Sequence, residues 1–273
     1  MKTKTVFIDI DGTLRNSKRK LTKRTIDVLK KVKAKGINCY LTTGRPRWKT
    51  KAVCLEADMG EFIISTTGSD IYNLKTDEVV FQQQMDKNAL KKIYKIAMKH
   101  SAFIKFQAGF DIITNKRRTP NHPYRKLLPE NIDQFLNNNV ITQVLVEDFD
   151  IEKVKVLYKE ISKIKEVKIT NHTKVLFDKN PNWTGKETAY IDINSPNVSK
   201  GEAVKILCDK LNLDLKDVIC IGDSQNDISM LEIAGKSVVM GNAKNEIKKY
   251  ADFIALSNDE DGVAKFLEQE FLS

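Results

Sequence analysis

The chain has 273 residues, 41% of them apolar and 30% charged, with a formal net charge of +10. That length accommodates one large or two smaller domains with a substantial core, and the balance of residues excludes a disordered or low-complexity chain. No apolar run approaches the roughly 20 residues of a membrane span, and the first five residues show no signal-peptide pattern, so a cytoplasmic location is expected.

The lysines are spread along helical faces, as in Lys23–Lys35 and Lys87–Lys99. That spread reads as a solvated surface able to attract phosphorylated metabolites, not as a concentrated nucleic-acid patch. Cys39, Cys54, Cys208 and Cys220 show no C-x-x-C spacing, which favours free core thiols in a reducing compartment.

Val6–Ile8 reads as a strand buried on both faces of a parallel sheet. It ends in Asp9-Ile10-Asp11-Gly12-Thr13, and ligands bind at that end of open α/β sheets. Residues i and i+2 of an extended segment point the same way, so Asp9 and Asp11 face one centre. With a cation neutralising it, Asp9 is suited to attack a phosphoryl group, and Asp11 to protonate the leaving oxygen and then activate water. Gly12 lets the backbone turn closely around a ligand. The competing reading of this stretch is an Asx-capped turn.

A helix capped by Thr22, with Ile26, Leu29 and Val32 on one face and Gly36 as its terminator, leads to a strand at Ile37–Leu41. This β-α-β order implies parallel strands. The second strand also ends in a polar cluster, Thr42-Thr43-Gly44-Arg45-Pro46, where Thr43 and Gly44 are expected to hold phosphate oxygens and Arg45 to add to them. Taken alone, Thr43 reads first as an ordinary N-cap; two polar clusters on one sheet edge shift the balance towards a ligand site.

Phe62–Ser65 reads as a third strand, followed by a Thr67-Gly68 turn and extended segments at 70–73 and 78–82. The pattern then changes. A helix at Lys87–His100, strands at Ala102–Phe106 and Phe110–Thr114, and a polar connection at Asn115–Pro129 come next. A strand at Val140–Val146, a helix at Ile151–Ile164 and a hairpin of Val167–Asn171 with Lys174–Asp178 follow. The order α-β-β-α-β-α-β-β predicts an inserted α+β domain at 83–188, within a core made of 1–82 and 189–273.

The core is expected to resume at Tyr190–Ile193, followed by a helix from Ser199 to Leu211. Lys200 lies in its first turn, at the positive end of the dipole, so it is either a functional lysine or a surface one. Val218–Ile221 ends in Gly222-Asp223-Ser224-Gln225-Asn226-Asp227. Mg²⁺ takes hard oxygen ligands, and Asp223, Asp9 and the Asp11 backbone carbonyl are expected to supply them. Asp227 reads as a ligand through water, as an orienting group, or as a first-turn acid. Ser237–Met240 and Ala251–Ala255 read as two more strands around a helix.

Taken together, Asp9-Ile10-Asp11-Gly12-Thr13, Thr43-Gly44-Arg45, Lys200-Gly201 and Gly222-Asp223 with Asn226-Asp227 resemble, in order, the four motifs of the haloacid dehalogenase-like hydrolases. Gly241-Asn242-Ala243 and the following stretches are similar to the Cof-type phosphatases of that superfamily. The resemblance implies a Rossmann-like parallel-sheet core with an inserted α+β cap domain. It also implies a Mg²⁺-dependent phosphatase of sugar phosphates or nucleotide-related monophosphates, acting through an aspartyl-phosphate.

Carried over, the roles are Asp9 as nucleophile and metal ligand, Asp11 as general acid/base, Asp223 as metal ligand and Asp227 in support. Thr43, Gly44, Lys200 and Asn226 would bind the phosphoryl group. Thr67-Gly68-Ser69 departs from the Asn-Gly-Ala usual in the subfamily, which puts a substrate contact there in doubt. Arg15 places a cation beside the catalytic loop, either touching substrate or solvated. Substrate choice is expected in the cap, with Lys116, Arg117, Arg118, His122, Tyr124, Arg125 and Trp183 as candidates.

Two alternatives stand beside this reading. One is a phosphomutase using the same aspartates; the other is a nucleic-acid-binding or regulatory protein on a phosphatase fold, which rests only on the charge. No oligomeric state follows from the sequence.

Overall fold

The computed structural model describes residues 5–116, 123–172 and 188–273. It divides into two compact units, one of residues up to 81 together with 199–273, the other of 82–198.

The first unit begins with β1 (Thr5–Ile8), α1 (Lys23–Ala34), β2 (Asn38–Thr42), α2 (Arg47–Glu56), β3 (Phe62–Ser65), β4 (Asp70–Asn73) and β5 (Glu78–Gln82). The second contains α3 (Lys87–Lys99), β6 (Phe103–Ala108), β7 (Asp111–Thr114), β8 (Arg125–Leu127) and α4 (Ile132–Asn138). It continues through β9 (Gln143–Asp148), α5 (Ile151–Ile161), β10 (Lys168–His172) and β11 (Ala189–Asn194). The chain then returns to the first unit with α6 (Lys200–Leu211), β12 (Val218–Gly222), α7 (Ile228–Leu231), β13 (Lys236–Val239), α8 (Asn245–Lys248), β14 (Phe253–Ile254) and α9 (Gly262–Phe271).

The first unit is built on an eight-stranded sheet in the order β14-β13-β12-β1-β2-β3-β4-β5. Every pairing from β14 to β3 is parallel, and β4 turns back antiparallel on β3. The uninterrupted apolar run of β1 is explained by its position: all four residues are buried, between β2 and β12. On one side of β1 lies the strand that follows it in the chain; on the other lies a strand from more than 200 residues later. That reversal of strand order opens a crevice at the carboxyl ends of β1 and β12, where the helices on the two sides diverge. The fold is thus α/β, with the polar clusters of β1, β2 and β12 on one edge.

The second unit is a six-stranded sheet in the order β10-β11-β9-β6-β7-β8, carrying helices α3, α4 and α5 on a shared apolar core that includes Leu90, Ile93, Phe106, Leu136, Val144, Val146 and Leu157.

The structure moves one expected boundary. Tyr190–Ile193 does not resume the parallel core; β11 pairs antiparallel with β9 and β10 in the second sheet, so the transition falls at 198/199. The reason is in the residues: Ala189, Ile191 and Ile193 are buried while Tyr190 and Asp192 are half-buried, the alternation of a sheet with one apolar face. The true core strands carry apolar residues on both faces. β10 pairs with β11, and the expected hairpin partner, Lys174–Asp178, lies outside the described residues. The polar connection expected at Asn115–Pro129 contains a three-residue strand, β8, which pairs parallel with β7 at the sheet edge.

Candidate active site

Asp9 leaves β1 with its backbone N–H still in the ladder, donating to the Ile221 carbonyl at 3.0 Å. The chain then curls: Leu14 donates to the Asp9 carbonyl at 3.2 Å and Arg15 to that of Ile10 at 2.9 Å. Gly12 makes the curl possible. Its φ is +85°, and a β-carbon there would lie 2.4 Å from the Asp223 Oδ2. The curl buries Asp9 and leaves the Asp11 side chain 52% exposed.

Lys200 enters from the first turn of α6, capped by Ser199, whose hydroxyl accepts from the Glu202 N–H at 3.1 Å. Gly201 lets this helix approach closely, since a β-carbon there would lie 2.1 Å from the Ser229 carbonyl. The lysine is completely buried, which removes the surface-lysine reading. Its ammonium donates to Asp9 Oδ1 at 2.6 Å and to Asp227 Oδ1 at 2.5 Å.

The other oxygen of Asp227 accepts from the Asp223 and Ser224 backbone N–H groups at 3.0 and 2.9 Å and from the Ser224 hydroxyl at 3.0 Å. Asp227 therefore fixes both Lys200 and the loop that carries Asp223, and both of its oxygens are already engaged. Asp223 in turn accepts from the Thr13 hydroxyl at 3.0 Å.

Asp9, Asp223 and Asp227 each offer a carboxylate oxygen, all within 4.8 Å of one another. Three carboxylates against one ammonium leave an excess of two negative charges in a buried place. The electrostatics follow: burial, with Asp227 and Asp223 adding repulsion, pushes the Asp9 carboxyl well above its usual range despite Lys200. Burial and Asp227 push Asp223 up to about 6. Lys200 goes the other way, held charged by the two aspartates although burial alone would lower it. A hard divalent cation is what this donor set fits, because it matches the charge excess and the all-oxygen chemistry. Asp9 and Asp223 each keep one carboxylate oxygen without a hydrogen bond among the described residues, whereas both oxygens of Asp227 are engaged.

Asp11 faces a different partner. The Arg45 guanidinium clasps it with both a 2.6 Å bond from Nε to Oδ2 and a second, shorter bond to Oδ1. Partial burial works to raise the Asp11 pKa, but the Arg45 bonds and charge, with Arg15 and Arg19 adding, outweigh it and hold the carboxyl below its ordinary value. Arg45, expected beside the phosphate, thus has its fork on Asp11. Arg15 turns to Glu56 at 2.7 Å.

Thr43 is buried, and its hydroxyl accepts from the Arg45 N–H at 3.2 Å, leaving its proton to donate. The cap of α2 is Pro46, so Thr43 is not the helix N-cap. Gly44 is bare: a β-carbon there would touch Thr67 Oγ1 at 3.4 Å and Asn226 Nδ2 at 3.9 Å.

Several contributors had no role in the sequence reading. Thr13 and Ser224 hold Asp223 and Asp227. Asn242 donates to the Gly12 carbonyl at 2.8 Å and accepts from the Asn258 N–H at 2.9 Å, and Asn258 donates to the Arg15 carbonyl at 2.9 Å, so the curl is tied down from the far end of the chain. The only signal for Asn242 was its place in Gly241-Asn242-Ala243. In the second unit, Lys116 donates to the Ser101 carbonyl at 3.1 Å and Tyr124 stacks on Phe110. Arg125 opens β8, while Arg117, Arg118, His122 and Trp183 lie outside the described residues.

Comparison with known proteins agrees with this geometry. A family profile described as haloacid dehalogenase-like hydrolase matches residues 6–267. The chain is 28% identical over 265 residues to a 5-amino-6-(5-phospho-D-ribitylamino)uracil phosphatase, YcsE, of Bacillus subtilis, covering 96% of this chain and 93% of that protein. It is also 28% identical to phosphatase YwpJ of the same organism, covering 97% and 99%. A crystal structure of a haloacid dehalogenase-like hydrolase from Bacteroides thetaiotaomicron superposes with a TM-score of 0.79 at 26% identity, covering 99% and 100%. With a motif set in order, a matching fold and a match along nearly its whole length, the chain belongs to the haloacid dehalogenase-like hydrolases and is a phosphatase, a phosphoric monoester hydrolase.

Proposed function

We propose that the protein is a Mg²⁺-dependent phosphatase of small phosphorylated metabolites, sugar phosphates or nucleotide-related monophosphates, and that it works through a phospho-aspartyl intermediate on Asp9. The observation that carries this reading is the division of labour between two aspartates two residues apart. Asp9 is buried against Lys200 and the acidic cluster, and Asp11 is solvent-facing under an arginine.

Lys200 holds Asp9 Oδ1 in place, while Oδ2 accepts no hydrogen bond among the described residues and is left to attack phosphorus. The phosphoryl group leaves its ester oxygen for the Asp9 carboxylate. Asp11 is ionised under Arg45 in the empty site, so as substrate arrives and Arg45 turns to the phosphoryl oxygens it first takes a proton from solvent, which it gives to the departing alkoxide. It then takes a proton from the water that cleaves the acyl phosphate, returning Asp9 with inorganic phosphate, and releases that proton to solvent before the next turnover. Thr43, the Gly44 N–H, Asn226 and Lys200 hold phosphoryl oxygens through this exchange, supplying fixed donors where charge is greatest. Arg45 keeps Asp11 aimed and ionised between turnovers. Mg²⁺, when bound by Asp9, Asp223 and the Asp11 carbonyl with Asp227 orienting them, supplies the positive charge that lets an anionic substrate meet an anionic nucleophile.

The unit of residues 82–198 is the substrate-specificity cap in this reading. A nucleotide-related monophosphate as substrate is supported by the relative named for a phosphoribitylamino-uracil. The test is phosphate release from a panel of phosphorylated metabolites, in Mg²⁺ and in EDTA, for the wild type and Asp9→Asn. Metal-dependent release that the variant loses is expected; a folded protein that releases phosphate from no member refutes the reading, and turnover that requires a bisphosphate activator assigns a mutase.

A further inference from the structure

Thr66, Thr67 and Gly68, in the turn between β3 and β4, have φ of +48°, +59° and +95°. Glycine adopts the left-handed region at little cost, but two adjacent β-branched residues there are costly, and such strain gathers at functional sites. The surroundings hold them in place. The Thr66 N–H donates to the Arg45 carbonyl at 2.8 Å and the Thr67 N–H to the Thr43 carbonyl at 3.0 Å. The next residues are anchored by a buried pair in which Arg47 Nε donates to Asp70 Oδ2 at 2.9 Å, with the Ser65 hydroxyl on the same oxygen at 2.7 Å.

The result is a threonine only 5% exposed whose hydroxyl makes no hydrogen bond among the described residues and faces the bare Cα of Gly44. Although the residue as a whole is buried, its hydroxyl oxygen is still reached by solvent, so it is open to an incoming ligand. On the other side of the same opening is Asn226, whose Oδ1 accepts from the Ser224 hydroxyl at 2.8 Å while its Nδ2 makes no hydrogen bond among the described residues. Two unused donors therefore converge on the space that the missing side chain of Gly44 leaves, one residue from Thr43.

We propose that Thr67 is a substrate contact: its hydroxyl and Asn226 Nδ2 clamp one oxygen of the bound phosphoryl group over Gly44. The proposal rests on the phosphatase reading for the identity of its ligand. It explains why the turn keeps a strained threonine where glycine or asparagine is easier to fold. The hydroxyl must point inward, and the left-handed backbone aims it there.

The test is binding of orthophosphate to the full chain in Mg²⁺, measured by calorimetry, for the wild type and three variants. Thr67→Val keeps shape and backbone strain but has no hydroxyl, Thr67→Ser keeps the hydroxyl, and Thr67→Gly removes both hydroxyl and strain. Loss of a hydrogen bond to a charged group predicts binding about tenfold weaker in Thr67→Val and Thr67→Gly, with Thr67→Ser within about twofold of wild type. Thr67→Gly is also expected to melt higher by about 3 °C, since relief of left-handed strain stabilises the fold, so its weaker binding is not a folding defect. Thr67→Val or Thr67→Gly binding like wild type, Thr67→Ser binding as weakly as Thr67→Val, or a wild type that binds no orthophosphate overturns the proposal. Turnover and its loss in Asp9→Asn read the phosphatase assignment separately, so a hydrolysing enzyme indifferent to Thr67 defeats only this inference.

Discussion

Replacing Lys200 with methionine tests the electrostatic argument at its centre. The side chain is fully buried and its ammonium bridges Asp9 and Asp227 at 2.6 and 2.5 Å. Methionine fills most of the same volume, so the packing loss is small and the change is one of charge. Removing one partner of a buried pair costs about 3–5 kcal/mol, because the other charge is left unpaired. Here two carboxylates are stranded beside a third, so the upper part of that range is expected in metal-free protein at pH 8.

The sign with pH follows from linkage. The folded-state pKa of Asp9 already lies above the ~3.9 of an unfolded aspartate, and without the lysine it rises further. Below that value both states are protonated and the penalty vanishes. As pH rises the unfolded chain ionises freely while the folded one resists, so the penalty grows up to the folded pKa. Urea unfolding in EDTA at pH 5 and pH 8 reads this directly. Lys200→Met is expected to lose much more stability at pH 8 than at pH 5, and adding Asp227→Asn to recover part of the loss, since the amide oxygen can still accept from residues 223 and 224. A loss below about 1 kcal/mol at pH 8, or an equal loss at both pH values, refutes the account of Lys200 as the counter-charge of the cluster.

Three other outcomes are expected. Gly12→Ala forces a β-carbon onto the Asp223 carboxylate from a left-handed backbone, and should cut metal-dependent phosphate release by about a hundredfold or more while lowering the melting temperature; near-normal turnover refutes the close approach. Burial pushes the Cys39, Cys54 and Cys208 thiols up to about 12 and Cys220 well above its ordinary value, so none should react quickly with a disulfide reagent at pH 8 until the protein is unfolded, when all four should. Mg²⁺ must displace the proton that Asp223 takes up near pH 6; its affinity, titrated by the shift in melting temperature, should weaken about tenfold between pH 7 and pH 5, and a pH-independent affinity would exclude Asp223 as a ligand.

What could be read from the sequence was whatever the chain writes locally. The strands of the first unit are apolar runs that stop abruptly at Asp9, Thr43 and Asp223, and run and stop are both visible in a few residues. The alternation in Ala189–Asn194 was equally visible, and its assignment to the wrong sheet came from weighing position along the chain above the period of the pattern. The partners were not legible. Thr13 meets Asp223 across 210 residues and Asn242 meets the Gly12 carbonyl across 230, and no spacing rule connects residues that far apart. Arg45 illustrates a subtler limit: an arginine at the start of a helix reads as an anion ligand, and only the geometry reveals that the anion it holds is Asp11.

Several of the fold's local penalties gather on one sheet edge. A lysine in the first turn of α6 opposes the helix dipole, three carboxylates crowd one ammonium, Gly12 brings the backbone against Asp223, and two threonines occupy left-handed backbone beside Gly44. In the proposed function a divalent cation would offset the charge excess of the carboxylates, and the phosphoryl anion would take up the donors of Thr67 and Asn226. Cation and anion also attract one another, so binding either lowers the cost of binding the second. A site destabilised in this way binds reactants through the relief of its own strain, which is how a rigid sheet edge stays marginal until it is filled and then holds the reacting groups still.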